Sequence, residues 1–221
     1  MSGELDPHAA GKVFEEGVPL EDAAGVVILL HGRGGSAAGI LSLADALGGA
    51  EMRLAFLAPQ AVGYSWYPNS FLAERALNEP WVSSALRKVA SVVEVAVGAG
   101  ILREKIVVGG FSQGACLATE FVATHSARYA GLVAWTGGLI GPLGSDVSHA
   151  GDLGGMPVLQ TGGDPDPHVP WARVEESAEV LIGMGARVTT RRYPGKPHSV
   201  SAEEVGLARE LIRAEFVDKR D

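Results

Sequence analysis

Cysteine is nearly absent from the chain: of 221 residues only Cys116 is one, so no internal disulfide can staple the fold. Long apolar runs are missing as well. None approaches the roughly 18 residues of a membrane-spanning helix, and the stretch Val26-Val27-Ile28-Leu29-Leu30 suits a buried strand instead. Clusters of positive charge are lacking: 18 Lys+Arg stand against 26 Asp+Glu, for a net charge of −8. That balance excludes the electrostatic footprint of a nucleic-acid partner. The stretch Met1 to His8 has neither a basic segment nor an apolar one of the secretory kind, which gives the expectation of a cytoplasmic protein. No group of His, Cys, Asp and Glu falls at metal-ligand spacing, and there is neither an internal repeat nor a low-complexity tract. Glycine is plentiful: its 30 residues are about twice the usual share of roughly 7%, and many sit where predicted elements end. Apolar segments are spread evenly along the chain, so one domain over residues 1–221 is expected.

In chain order, a short strand is expected at Val13–Glu16 and a stronger one at Gly25–Leu30. Ser36 would cap a helix with Ile40, Leu41, Ala44 and Leu47 on its buried face, closed by Gly48-Gly49. A strand at Arg53–Ala58 stops at Pro59, and the long irregular stretch Gln60–Glu79 follows. Next comes a helix with Asn78 as N-cap, Pro80 in its first turn and Val82, Leu86, Val89 and Val93 facing inward. Further strands are read at 106–108, Leu132–Trp135, Val158–Thr161 and Arg187–Tyr193, the last alternating as an edge strand does; helices are read at 115–125 and 171–184. Ser201 and Glu204 form a capping box for a final helix carrying Val205, Ala208, Ile212 and Phe216. Strands and helices thus alternate. That predicts an α/β fold, a mostly parallel sheet covered by helices, with its ligand site at the carboxyl ends of the strands.

One stretch carries chemistry. Gly110-Phe111-Ser112-Gln113-Gly114 lies between a β-branched run and a helix-period segment, the setting of a nucleophile elbow. A Cβ at Gly110 or Gly114 would collide with the neighbouring strand or helix, so both positions call for glycine. A serine hydroxyl attacks only if a base can take its proton and an acid can orient that base. In this motif the partners follow in the order Ser, Asp or Glu, His. His198, after the last strand and before the last helix, is the expected base. For the acid, Asp164 and Asp166 share one proline-rich loop, and spacing does not separate them.

Two backbone N–H groups must face the developing oxyanion, each worth about 2.7–4 kcal/mol. Gln113 N–H is one candidate; the other is Arg33 N–H in His31-Gly32-Arg33-Gly34-Gly35, while the Arg33 side chain is either a solvated turn residue or a substrate contact. The run Gly32-Arg33-Gly34-Gly35-Ser36-Ala37 also satisfies a dinucleotide-binding fingerprint. The acidic residue which that reading needs about 20 positions on is missing from Leu57-Ala58-Pro59-Gln60, so the nucleotide reading is the weaker one. The aromatic loop residues Trp66, Tyr67, Phe71 and Leu72 are either core filler or an apolar wall for an acyl group, with Leu139 and Ile140 as an opposite wall. Cys116 reads as small-residue packing on the elbow helix.

Taken together, Leu30-His31-Gly32-Arg33-Gly34, Ser65-Trp66-Tyr67, Gly110 to Gly114, Asp166-Pro167-His168-Val169-Pro170, His198-Ser199 and Glu203-Glu204 resemble the phospholipase/carboxylesterase family of α/β-hydrolases, over nearly the whole chain. The resemblance implies an α/β-hydrolase fold with a minimal lid, Asp166 as the acid, an oxyanion N–H from Arg33 and no cofactor. It also implies a serine hydrolase acting on a small-molecule ester of small to medium acyl chain. Acyl-protein thioesterase and lysophospholipase are the alternatives within the family; a hydrolase-fold protein that binds without turnover is the alternative outside it. The thioesterase branch resembles His-Gly-Leu-Gly-Asp and Ser-Trp-Phe-Asp where this chain has His31-Gly32-Arg33-Gly34-Gly35 and Ser65-Trp66-Tyr67-Pro68, departures that favour a general carboxylesterase. Oligomeric state, a homodimer included, stays open.

Overall fold

Runs that are apolar at every position bury both faces of a strand, and the sheet of this protein is built on such runs. A computed structural model describes residues 5–217. Its strands are β1 Val13–Gly17, β2 Gly25–Leu30, β3 Leu54–Pro59, β4 Ile106–Phe111, β5 Gly131–Trp135, β6 Pro157–Asp164 and β7 Arg187–Pro194. They form one seven-stranded sheet in the order β1-β3-β2-β4-β5-β6-β7, parallel throughout except where β1 pairs antiparallel with β3. Five helices accompany it: α1 Ala37–Leu41, α2 Trp81–Gly98, α3 Gln113–Thr124, α4 Trp171–Gly183 and α5 Ala202–Phe216.

The period of two along each strand divides the core into two layers. Val26, Ile28 and Leu30 of β2 meet Val82 and Val89 of α2, Phe121 of α3 and Leu181 of α4 on one face. Val27 and Leu29 meet Ile40 of α1 and Ala208, Ile212 and Phe216 of α5 on the other. The central strands are buried along almost their whole length, whereas β1 and β7 at the edges are largely exposed. Arg187, Arg191 and Arg192 charge the β7 edge, which discourages pairing with a foreign strand.

The helix after Ser36 is shorter than its apolar period suggests. Ser36 does accept the Gly39 N–H, but regular helix ends at Leu41. There the Ser42 hydroxyl donates to Gly39 O, competing for a carbonyl the helix would use, and residues 42–52 continue as turns that still bury Ala44 and Leu47. Asn78 is not the N-cap of α2; Pro80 holds that position and Glu79 Oε2 accepts the Ser83 N–H instead. Asn78 is buried in a single 3₁₀ turn, where it accepts from Asn69 N–H and donates to Ser70 O.

Two histidines organise the approach to the site from within the core. His8 is fully buried: its Nε2–H donates to Trp66 O and its Nδ1 accepts the Val62 N–H. His31 accepts the Ala61 N–H at Nε2, so its Nδ1 carries the proton and donates to Gly32 O. Burial holds both imidazoles below the ordinary histidine value, against the raising effect of those carbonyls. In the unfolded chain both titrate near about 6.5. As pH falls through that value the unfolded chain gains protons that the folded chain refuses, so stability is lost on acidification, by up to about 1.4 kcal/mol per pH unit for each group. The urea midpoint should therefore fall between pH 7.5 and 5.5; an unchanged midpoint would contradict neutral, buried His8 and His31.

Candidate active site

The elbow forms because β4 must turn into α3 within one residue. Ser112 takes φ 55° and ψ −119°, a conformation that side chains adopt only under strong local constraint. The constraint is visible on both sides. A Cβ at Gly110 would lie 2.6 Å from Leu30 O and from the Gly114 carbonyl carbon, and one at Gly114 would overlap Leu30 O. The Ser112 N–H donates to Trp135 O of β5, and Ser112 O accepts the Cys116 N–H one turn along α3. The hydroxyl is left facing the open end of the sheet.

The loops after β6 and β7 bring the partners. Those strands pair as far as Asp164 with Pro194, so Asp166 and His198 leave the sheet side by side. Gly163 lets the two loops touch, since a Cβ there would press on Lys196 O at 2.5 Å. His198 Nε2 lies 2.8 Å from Ser112 Oγ, and His198 Nδ1 lies 2.8 Å from Asp166 Oδ2. A carboxylate only accepts, so Nδ1 carries the ring proton and Nε2 is free to accept the serine proton. Burial pushes the Asp166 carboxyl up. The hydrogen bonds from His198 and from the Val169 and His168 N–H groups outweigh it and hold the group below the usual aspartate value, hence ionised. Asp164 faces away: it pairs with Arg192 of β7.

A buried ion pair holds the histidine loop. Lys196 Nζ donates to both carboxylate oxygens of Glu204 at 3.1 and 2.9 Å and to Ser199 O. Glu204 also accepts the Thr161 hydroxyl and the Ser201 N–H, so the capping box read from the sequence also ties the loop bearing His198 to β6 and α5.

On the other side of Ser112, Gly32 runs against the elbow; a Cβ there would lie 3.5 Å from Ser112 Cβ. The N–H groups of Arg33 and Gln113 find no acceptor among the described residues. The Gln113 side chain stitches the aromatic loop to the elbow, accepting from Trp66 N–H and donating to Tyr67 O. The Arg33 guanidinium is no free turn residue: Nη1 donates to Pro68 O at 2.9 Å and Nη2 to Asn69 O at 2.6 Å.

A cavity of about 550 Å³ opens over Ser112 and His198. Of the aromatic-loop residues, Tyr67, Phe71 and Leu72 line it, joined by Phe111, Val169 and His168. Trp66 does not line it. It is fully buried, with Nε1–H donating to His31 O, and acts as a core post for the loop. Leu139 and Ile140 also belong to the core rather than the wall, because Glu120 and Ser177 draw their backbone inward: Ile140 N–H donates to Glu120 Oε2 and Leu139 N–H to Ser177 Oγ. Cys116 lies at the cavity floor, and burial pushes its thiol up to about 12, so it is no competing nucleophile. Phe111 and His168, whose rings flank His198 at 5.0 and 4.8 Å, escape the sequence reading. Their positions beside Ser112 and Asp166 were the available signal.

A parallel sheet with a serine elbow at its centre, and histidine and aspartate on the loops of later strands, defines an α/β-hydrolase. The sequence pattern of the phospholipase/carboxylesterase family matches residues 17–215, and the chain belongs to that family of esterases. It is similar to the crystal structure of a phospholipase/carboxylesterase from Dyadobacter fermentans, at 42% identity and a TM-score of 0.86 over 92% of this chain and 96% of that one. Acyl-protein thioesterase 1 of Cryptococcus neoformans is 27% identical over 85% of this chain and 90% of that protein. Acyl-protein thioesterase 1 of Gibberella zeae is 31% identical, but the match spans only 58% of this chain and 56% of that protein.

Proposed function

We propose that this hydrolase is a serine carboxylesterase that cleaves esters of small to medium acyl chain through an acyl-enzyme. The observation that carries the reading is the unbroken hydrogen-bonded chain from Ser112 Oγ through His198 to Asp166, with Ser112 and His198 lining the cavity. Ser112 Oγ attacks the ester carbonyl carbon while His198 Nε2 takes its proton. The carbonyl oxygen becomes an oxyanion held by the Arg33 and Gln113 N–H groups. His198 returns the proton to the departing alkoxide, leaving alcohol and acyl-Ser112. Water, deprotonated by the same nitrogen, attacks the acyl carbon and frees the acid and the serine. Asp166 stays ionised and stabilises the imidazolium throughout.

Tyr67, Phe71, Leu72 and Val169 supply an apolar surface suited to an acyl chain. A thioester reading is favoured by one observation, the two acyl-protein thioesterase relatives. A rate series on p-nitrophenyl acetate, butyrate, octanoate and palmitate, run beside butyryl and palmitoyl thioesters, separates the readings. The expected maximum is at butyrate to octanoate, with oxygen esters ahead of thioesters. A maximum at the palmitoyl thioester assigns the protein to the thioesterase reading. A fluorophosphonate probe should label Ser112 stoichiometrically, and failure to label a folded sample would leave only a binding role.

A further inference from the structure

We propose that the substrate carries a carboxylate and that the Arg33 guanidinium recognises it. The proposal rests on the esterase reading above and names the substrate class of that same site. Arg33 follows Gly32, which abuts the elbow, and lines the cavity, with its guanidinium bonded to two other lining residues, Pro68 and Asn69. The carbonyls of Pro68 and Asn69 orient it. These acceptors are neutral, so the guanidinium keeps its full charge and has three further N–H donors without an acceptor among the described residues. A planar fork held in place in this way is suited to a carboxylate.

The surroundings leave that charge uncompensated. No aspartate or glutamate lines the cavity. Asp166 is committed to His198, and Glu120 to Arg75 and the Ile140 N–H. The chain as a whole is acidic, with a net charge of −8, so a cavity whose one permanently charged lining residue is a cation runs against the overall field. An apolar wall at Phe71 and Leu72 with a cation at the rim fits a short aliphatic spacer between ester and carboxylate.

The test compares monomethyl adipate with dimethyl adipate, which has the same acyl spacer and no charge, and acetoxyacetate with ethyl acetate, which moves the carboxylate to the alcohol half. Hydrolysis is followed in a pH-stat at pH 7.5. Wild-type enzyme should prefer one charged ester over its neutral partner, and the pair that shows the preference identifies which half carries the carboxylate. Arg33→Gln should lower the charged-to-neutral ratio of kcat/KM at least tenfold, mainly through KM, and Arg33→Lys should restore part of it. Raising NaCl from 0.05 to 0.5 M should erode the same ratio in the wild type. Free adipate should inhibit wild-type hydrolysis of the neutral ester more strongly than that by Arg33→Gln. Equal losses on charged and neutral esters would reduce Arg33 to a staple of the loop at Pro68 and Asn69 and overturn the proposal, as would a wild type with no preference in either pair. Hydrolysis of none of the four esters by folded protein would instead sink the esterase reading itself.

Discussion

Ser112→Ala is expected to abolish ester hydrolysis, with kcat on p-nitrophenyl butyrate falling on the order of 10³-fold or more. In the proposed mechanism the hydroxyl is the atom that bonds to substrate. Without it His198 Nε2 has no proton to take, and what remains is binding plus the Arg33 and Gln113 donors. The variant should fold normally, because the strained backbone at position 112 is imposed by Gly110, Gly114 and Leu30 and not by the serine side chain. Thermal denaturation checks that point. Retention of more than a few per cent of the wild-type rate would refute Ser112 as nucleophile.

The second large effect separates two aspartates that lie two residues apart. Asp166→Asn should reduce kcat by about 10³ to 10⁴-fold, because an amide at this position favours the wrong imidazole tautomer and cannot stabilise an imidazolium. Asp164→Ala removes only the partly exposed pair with Arg192 and should cost less than about tenfold, since such pairs contribute little. The pH dependence of stability adds a check. The Asp166 carboxyl is held below its usual value in the folded protein, so it contributes stability that is present above about pH 3.8 and lost as pH falls below that value. Asp166→Asn should flatten that part of the acid-unfolding curve. An equal or greater kinetic loss at position 164 would mean that the acid has been misassigned.

The sheet was legible because its central strands are runs of apolar residues buried on both faces, a pattern that survives whatever the loops do. β2, β4 and the capped helix α5 are cases in point. Ser112 and His198 sit on turns that follow strands, so strand order brings them together, but it leaves Asp164 and Asp166 equivalent, and only the family resemblance chose Asp166. What was hidden lies in the loops. An aromatic residue in an irregular stretch does not reveal which way the backbone carries it: Trp66 and Tyr67 are both buried in the core, and only Tyr67 also lines the cavity. Leu139 and Ile140 were drawn inward by Ser177 and Glu120, residues distant in sequence. Asn78 has the composition of a helix cap, yet tertiary hydrogen bonds to Asn69 and Ser70 claimed it. Nothing local announces that His8, in a segment before the first strand, will be buried and donate to Trp66 O.

The Lys196–Glu204 pair has a consequence for the order in which the protein comes into being. The elbow helix ends at Thr124, but the proposed base lies at position 198 and its loop is fastened to a glutamate six residues further on, inside a helix that runs to Phe216. A chain synthesised only as far as α3 therefore carries the serine without the residue proposed to deprotonate it, and without the Trp135 carbonyl that holds its backbone. Both the histidine and the lysine–glutamate pair that fastens its loop come from the last stretch of the described residues.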